Sequence, residues 1–298
     1  MNFYSKSVDI PAGGALWTES IGESGSSSPI LLISGAGAHA HFWSDSFCSY
    51  LAEKNHLVIR YDHRDIGLSF ASSEDYLIDV LVQDALEILY AYGIASVHLI
   101  GHSMGGYMGQ LLAGQYPEKV RTLTTISAGP LGETPQISLP YSNEEKQLLY
   151  ETWRIMLRNR PSQEFEESFN GFLDVWTRLS GKIPVDEAMA REYTRELYTR
   201  SNYPVGVHAR HVKVMQKVVE DMGANKAIFE KIQTPVLVIQ GQEDYLVLPE
   251  RGGRALTKVL PKAQLALIPK MGHLFFNQEM ERKIADLILP FLSQYESK

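Results

Sequence analysis

Three residue types in one chain order point to chemistry in this 298-residue sequence: a serine in Gly101-His102-Ser103-Met104-Gly105, an acid at Glu243 or Asp244, and a histidine at His273. A serine hydroxyl is a poor nucleophile at neutral pH. It needs a base to take its proton and a third group to hold that base in one tautomer. Serine, histidine and carboxylate together can attack an acyl carbon and carry the acyl group as a covalent intermediate. The Gly-x-Ser-x-Gly pentapeptide lies between an apolar run, Ser96-Val97-His98-Leu99-Ile100, and a helical stretch over 107–116 that Pro117 ends. A serine on so tight a strand-to-helix turn is strained and needs small neighbours, supplied here by Gly101, Gly105 and Gly106. Ser103 is the candidate nucleophile.

The partners come late in the chain. Glu243 and Asp244 follow the apolar run 234–241, and His273 follows Gly272 and the run 264–268. Loops beyond the carboxyl ends of strands are where open α/β sheets place their sites. Residue type alone leaves Glu243 and Asp244 both open as the acid. His39, His41, His63 and His102 follow no late strand and are given no proton-transfer role. Acyl transfer also needs amide donors for the developing oxyanion. The expected donors are the backbone N–H of Met104, next to the nucleophile, and one from the small-residue loop Ser34-Gly35-Ala36-Gly37-Ala38, assigned by position to Ala36.

Positioning these groups requires strands alternating with helices. Strands are predicted over 3–10, 15–21, 30–33, 56–61, 96–100, 120–126, 234–241 and 264–268, with Pro11-Ala12-Gly13-Gly14 turning the first two into a hairpin. The run Ile30-Leu31-Leu32-Ile33 is apolar on both faces, the pattern of a central parallel strand. Helices are predicted over 43–53, 76–92, 107–116, 250–259 and 280–295, the second with Asp75 as N-cap and Gly93 as stop. Between 131 and 225 the alternation stops and only helical segments follow: 144–159, 162–179, 186–200 and 207–221. In the second of these, Phe165, Phe169, Phe172 and Trp176 recur at helical spacing and read as packing this stretch onto the core. The one low-complexity tract is 24–28. These patterns predict an α/β fold, a mostly parallel central sheet with helices on both faces, with residues 1–130 and 226–298 as the core and 131–225 inserted in it.

Composition bounds the rest. Apolar residues make up 44% and charged residues 21%, ordinary for a globular protein. The net charge of −7, without a basic stripe, argues against a nucleic-acid partner and says nothing about the substrate, which is expected to be a small molecule. One cysteine, Cys48, forms no intrachain disulfide and rules out a cysteine-based zinc site; it fits a reducing compartment and reads as a buried structural thiol. The N-terminus has no signal-peptide pattern and no apolar run is long enough to span a bilayer, so the expectation is a cytoplasmic protein with no membrane partner. No metal or cofactor is implied. Self-association and the substrate-binding residues are not legible.

The motifs resemble those of the α/β-hydrolase fold superfamily over nearly the whole chain: Ser34-Gly35-Ala36, Asp62-His63-Arg64-Asp65-Ile66-Gly67-Leu68-Ser69, Gly101-His102-Ser103-Met104-Gly105-Gly106, Gly241-Gln242-Glu243-Asp244 and Gly272-His273. The resemblance implies a Ser, Asp, His order of triad residues, which favours Asp244 over Glu243, and a helical cap inserted after the sixth strand. Two positions depart from the common pattern. The oxyanion loop begins Ser34-Gly35 where His-Gly is common, and Asp65 stands where the second loop usually has a glycine. The Tyr61-Asp62-His63-Arg64-Asp65-x-Gly67 form is similar to a branch that includes aclacinomycin methylesterase-like hydrolases. Within the superfamily, dehalogenases and epoxide hydrolases carry aspartate at the elbow, so Ser103 argues against both. The resemblance therefore implies a serine hydrolase, with a carboxylic ester of a small or medium-sized, mainly apolar substrate as first expectation. Carbon–carbon bond hydrolases, lactonases, thioesterases and cofactor-free haloperoxidases share the triad, and a low-turnover ligand receptor is the alternative of another class.

Overall fold

The structure is a computed structural model and describes residues 2–11, 13–23, 29–158, 162, 164–200, 209–221, 227–228 and 230–296. Eight strands form one sheet in the order β1-β2-β4-β3-β5-β6-β7-β8. They are β1 (Tyr4–Asp9), β2 (Ala15–Ile21), β3 (Ile30–Ile33), β4 (Val58–Tyr61), β5 (Val97–His102), β6 (Val120–Ile126), β7 (Val236–Gly241) and β8 (Ala263–Ile268). The β1–β2 and β2–β4 pairs are antiparallel and all others parallel. β3 lies between β4 and β5, so the chain leaves it first to one side and later returns to the other. Loops after β3 and β5 consequently diverge and open a crevice at the carboxyl edge, the place where doubly wound sheets bind ligands.

Side-chain alternation along the strands builds two cores. Leu31 and Ile33 face one apolar cluster, shared with α2 (Ile78–Ala91), α3 (Met104–Gln115) and α9 (Gly253–Val259). Ile30 and Leu32 face the other, shared with α1 (Asp45–Ala52) and α10 (Gln278–Ser293). All four β3 side chains are fully buried, each contributing roughly 2 kcal/mol of transfer free energy. Between β6 and β7 run α4 (Pro135–Ser138), α5 (Asn143–Arg158), α6 (Phe165–Leu179), α7 (Glu187–Thr199) and α8 (Ala209–Glu220). Phe169, Trp176 and Tyr193 of α6 and α7 join the α1/α10 cluster, while Val214 and Val218 of α8 join the α2/α3 cluster. The aromatic stripe is thus packing at Phe169 and Trp176, with Phe165 and Phe172 partly buried beside them.

Several boundaries differ from the sequence reading. Asp75 does not cap α2: the helix starts at Ile78 with Leu77 at the cap and no side-chain cap bond, and Asp75 instead meets Lys213 of α8 at 3.1 Å. Gly93 does end that helix, at φ +65°. The expected helix over 43–53 is a short 3-10 turn at Ala40–Phe42 followed by α1, because the Ser44 hydroxyl accepts from Phe47 N and starts a new helix. The helix expected from 107 begins at Met104, directly after the serine turn, and α9 starts three residues later than the expected 250. The short α4 carried no recognised signal. The tract 24–28, the boundary at 225/226 and the first residues of the expected 207–221 helix lie outside the described residues. No helix among the described residues is long and apolar enough to cross a membrane.

Candidate active site

β5 ends in a turn whose serine has φ 51° and ψ −115°, a conformation that costs of order 1–3 kcal/mol for a residue with a Cβ. The surrounding backbone enforces it. A Cβ at Gly101 would collide with the Gly105 backbone, and one at Gly105 with the Ile33 carbonyl of β3. The strain lifts the Ser103 side chain to the head of α3, half-buried and accessible, where the first amides of the helix lack intrahelical partners and the helix dipole is positive.

His273 arrives from the loop after β8, and Asp244 from the loop after β7. Ser103 Oγ lies 3.1 Å from His273 Nε2, and His273 Nδ1 lies 3.0 Å from Asp244 Oδ2. Since a carboxylate only accepts, Nδ1 carries the proton and Nε2 is free to accept from the serine hydroxyl. Asp244 is held from every side. Its Oδ1 accepts from Leu246 N at 2.9 Å and Val247 N at 2.8 Å, and Gln240 Nε2 donates to Oδ2 at 3.0 Å. Glu243 points elsewhere, to Lys182 at 2.5 Å and to the Tyr245 hydroxyl. The structure therefore brings Ser103, His273 and Asp244 into one hydrogen-bonded chain and leaves Glu243 outside it. Gln240 escaped sequence reading, although a lone amide ending the apolar run Val236-Leu237-Val238-Ile239 was a usable signal.

The histidine loop is fixed by the insertion. After α6, Leu179 accepts from His273 N at 2.5 Å and from Leu274 N at 3.0 Å; Ser180 O accepts from Gly272 N at 3.0 Å; Lys182 N donates to Lys270 O at 2.8 Å. Gly181, at φ +71°, bridges Met271 in antiparallel fashion. From the other side His102 donates Nε2–H to the His273 carbonyl at 2.9 Å. Burial and the neighbouring His273 push the His102 imidazole down to about 3, so it stays neutral and acts only as this donor.

The loop after β3 closes the other flank. A Cβ on Gly35 would sit 3.3 Å from Ser103 Cβ and 2.9 Å from His102 Nδ1, so Ala36 lies one residue beyond a point of contact with the serine. Asp62 Oδ1 accepts from Ala40 N at 2.8 Å and Oδ2 from Leu68 N at 3.0 Å, tying this loop to the one after β4. His63, which burial holds down at about 4, donates to the Ser34 carbonyl at 3.2 Å. Asp65 takes the glycine-like φ of +68°, a conformation short polar side chains tolerate. Its carboxylate accepts from Ser72 N, the Tyr76 hydroxyl and Arg210 of α8 at 2.7, 2.7 and 3.0 Å. His39 stacks on Tyr193 at 4.0 Å, and His41 Nδ1 lies 2.5 Å from Glu196 Oε2 of α7.

The chain is similar to known proteins along most of its length. Residues 28–279 match the family described as alpha/beta hydrolase fold. The chain is 32% identical over 275 residues to rhodomycin D methylesterase DauP of Streptomyces sp. (strain C5), covering 87% of this chain and 88% of that protein. It is 30% identical over 280 residues to rhodomycin D methylesterase DnrP of Streptomyces peucetius, with shares of 87% and 88%. The solved structure of a hydrolase from Pseudomonas aeruginosa PA01 aligns with a TM-score of 0.71 over 97% of this chain and 98% of that one, at 22% identity, a likeness of fold. A family match over 28–279, together with 32% identity across most of both chains, leaves one assignment: the chain belongs to the α/β-hydrolase fold family.

Proposed function

We propose that this protein is a serine hydrolase of carboxylic esters, working through an acyl-enzyme on Ser103. The observation that carries the reading is the 3.1 Å and 3.0 Å chain from Ser103 through His273 to Asp244 on a strained strand-to-helix turn. His273 Nε2 takes the hydroxyl proton as Oγ attacks the carbonyl carbon, and then delivers that proton to the departing alkoxide as the C–O bond breaks. Water repeats the sequence on the acyl-enzyme and releases the acid. Asp244 holds the Nδ1–H tautomer and stabilises the imidazolium. The Met104 and Ala36 amides receive the oxyanion, and no cofactor is required. Residues 131–225 act as a cap over the site, the substrate is a small or medium-sized, mainly apolar ester, and the names of the two Streptomyces relatives favour a methyl ester. Cys48, buried and pushed up to about 12 by burial, stays a thiol, in keeping with a cytoplasmic setting.

Replacing Ser103 by Ala should lower kcat/KM on short-chain nitrophenyl esters by on the order of 10⁴-fold or more and abolish labelling by a fluorophosphonate. Unchanged turnover, or labelling of another residue, would overturn the assignment. A panel of methyl esters, lactones and thioesters then ranks the bond types.

A further inference from the structure

We propose that His211, in helix α8 of the insertion, is a positioning residue for the oxyanion loop: by accepting the Gly37 amide it fixes the backbone that presents the Ala36 N–H. The inference rests on reading the loop after β3 as the oxyanion loop.

His211, Val214 and Val218 form the inward stripe of α8, at i, i+3 and i+7, and all three are buried. Valine or leucine would complete such a stripe without cost. A histidine with 0% exposure is tolerable only if its ring nitrogens are used, and both are. Gly37 N donates to Nδ1 at 3.1 Å, and Nε2 lies 3.1 Å from the Arg64 carbonyl. The amide can only donate and the carbonyl only accept, so the ring is the neutral Nε2–H tautomer. One side chain from the insertion thus joins the backbones of the loops after β3 and β4.

The far end of the short loop is pinned as well. His63 donates to the Ser34 carbonyl at 3.2 Å and meets the His211 ring edge to face, centroids 5.5 Å apart. Only Gly35 and Ala36 lie between the two pins, and Gly35 already abuts Ser103. An oxyanion donor works only when it is aimed within a few tenths of an ångström, and a displacement of about 1 Å can cost 10²-fold. The insertion therefore contributes to the rate as well as to the pocket.

Three substitutions separate this role from packing. His211→Asn keeps an acceptor near the Nδ1 position, His211→Gln keeps an amide near the Nε2 position, and His211→Phe keeps only the ring. Ester turnover and inhibition by a trifluoromethyl ketone, whose adduct with the serine places an oxyanion, are measured for each. Gln and Phe should lower kcat roughly 10- to 100-fold with KM changed less than about threefold, and weaken the ketone in parallel; Asn should stay within about fivefold of the parent. Asn no better than Gln, or kcat loss without weaker ketone binding, overturns the proposal, and the Asn–Gln comparison stands even if Phe fails to fold. A parent protein that neither turns over esters nor labels at Ser103 sinks the functional reading, and this proposal with it. An active parent indifferent to His211 sinks only the proposal.

Discussion

Among the described residues, two of the seats at which the insertion meets the core are built from different interactions. On the His273 side the contact is backbone to backbone: Leu179, Ser180 and Lys182 pair with the loop 270–274, and glycines at 181 and 272 let the chains approach. On the β3/β4 side the contact adds charge to the His211 hydrogen bonds and the His39–Tyr193 stack: Arg200 reaches Asp62 at 3.2 Å, Arg210 reaches Asp65 at 3.0 Å, and Glu196 lies beside His41. Amide pairs between chains are insensitive to salt and set position sharply. Ion pairs with one partner near solvent are adjustable and respond to salt and pH. The proposed base is thus held by the rigid seat, and the crevice flank by the adjustable one.

The difference can be broken most severely at Gly272. A Cβ there would strike the Leu179 carbonyl and the Gly181 amide, so Gly272→Ala must part the two backbones and carry His273 with them. We expect a kcat loss of about 10²-fold or more, from misplacement of the base by an ångström, with Ser103 still labelled slowly by a fluorophosphonate. Near-normal kcat would show that the loop holds its place without the insertion.

Next in size is Arg200→Met. Asp62 is fully buried, and burial raises its carboxyl against the lowering effect of Arg200. Removing the guanidinium leaves that charge to the Ala40 and Leu68 amides alone, without its ion-pair partner, and also strips the cation from the Trp17 face, 4.1 Å away. The cost should be about 2–3 kcal/mol in chemical denaturation at low salt. Combining it with Asp62→Asn should recover part of this, since no buried carboxylate then lacks its partner. Strict additivity in that cycle would deny the coupling. High salt should narrow the gap between parent and Arg200→Met while leaving Gly272→Ala unchanged.

The two seats were unequally legible. The sheet, the elbow and the three residues now found in one hydrogen-bonded chain follow from apolar runs and short motifs, because parallel strands and tight turns restrict which residues can occupy them. Asp65 was visible as an oddity, and its φ of +68° and contact with Arg210 supply the reason. The Leu179–Lys182 bridge was invisible, since backbone pairing writes nothing into side-chain identity beyond two glycines. His211 was hidden for the opposite reason: one histidine in an amphipathic helix has no distinguishing local pattern, and its partners lie 174 and 147 residues away in sequence. Asp75 misled because a carboxylate before a helix suits both a cap and an ion pair, and Lys213 of α8 decided for the second.

The smallest expected effect sharpens the charged seat into a pH dependence. His39 and His41 are two residues apart and shift oppositely. Burial, with Arg200 nearby, drives His39 well below its usual range, so it stays neutral against Tyr193. Burial also opposes charge on His41, but Glu19 and Glu196 outweigh it, and the net shift is upward despite Arg60 and Arg200. The signs follow from linkage. His41 adds stability that is complete below its unfolded pKa of 6.5 and fades as pH rises through the higher folded value. His39 acts in reverse: the unfolded chain gains a proton near 6.5 that the folded chain refuses, so stability falls as pH drops below that point. His41→Gln should therefore cost about 1 kcal/mol or less near pH 6 and almost nothing near pH 9, lowering the acid side of a plot of Tm against pH and leaving the alkaline end unchanged. An equal loss at both ends would mean that His41 contributes packing rather than charge, and that this seat is less adjustable than its ion pairs suggest.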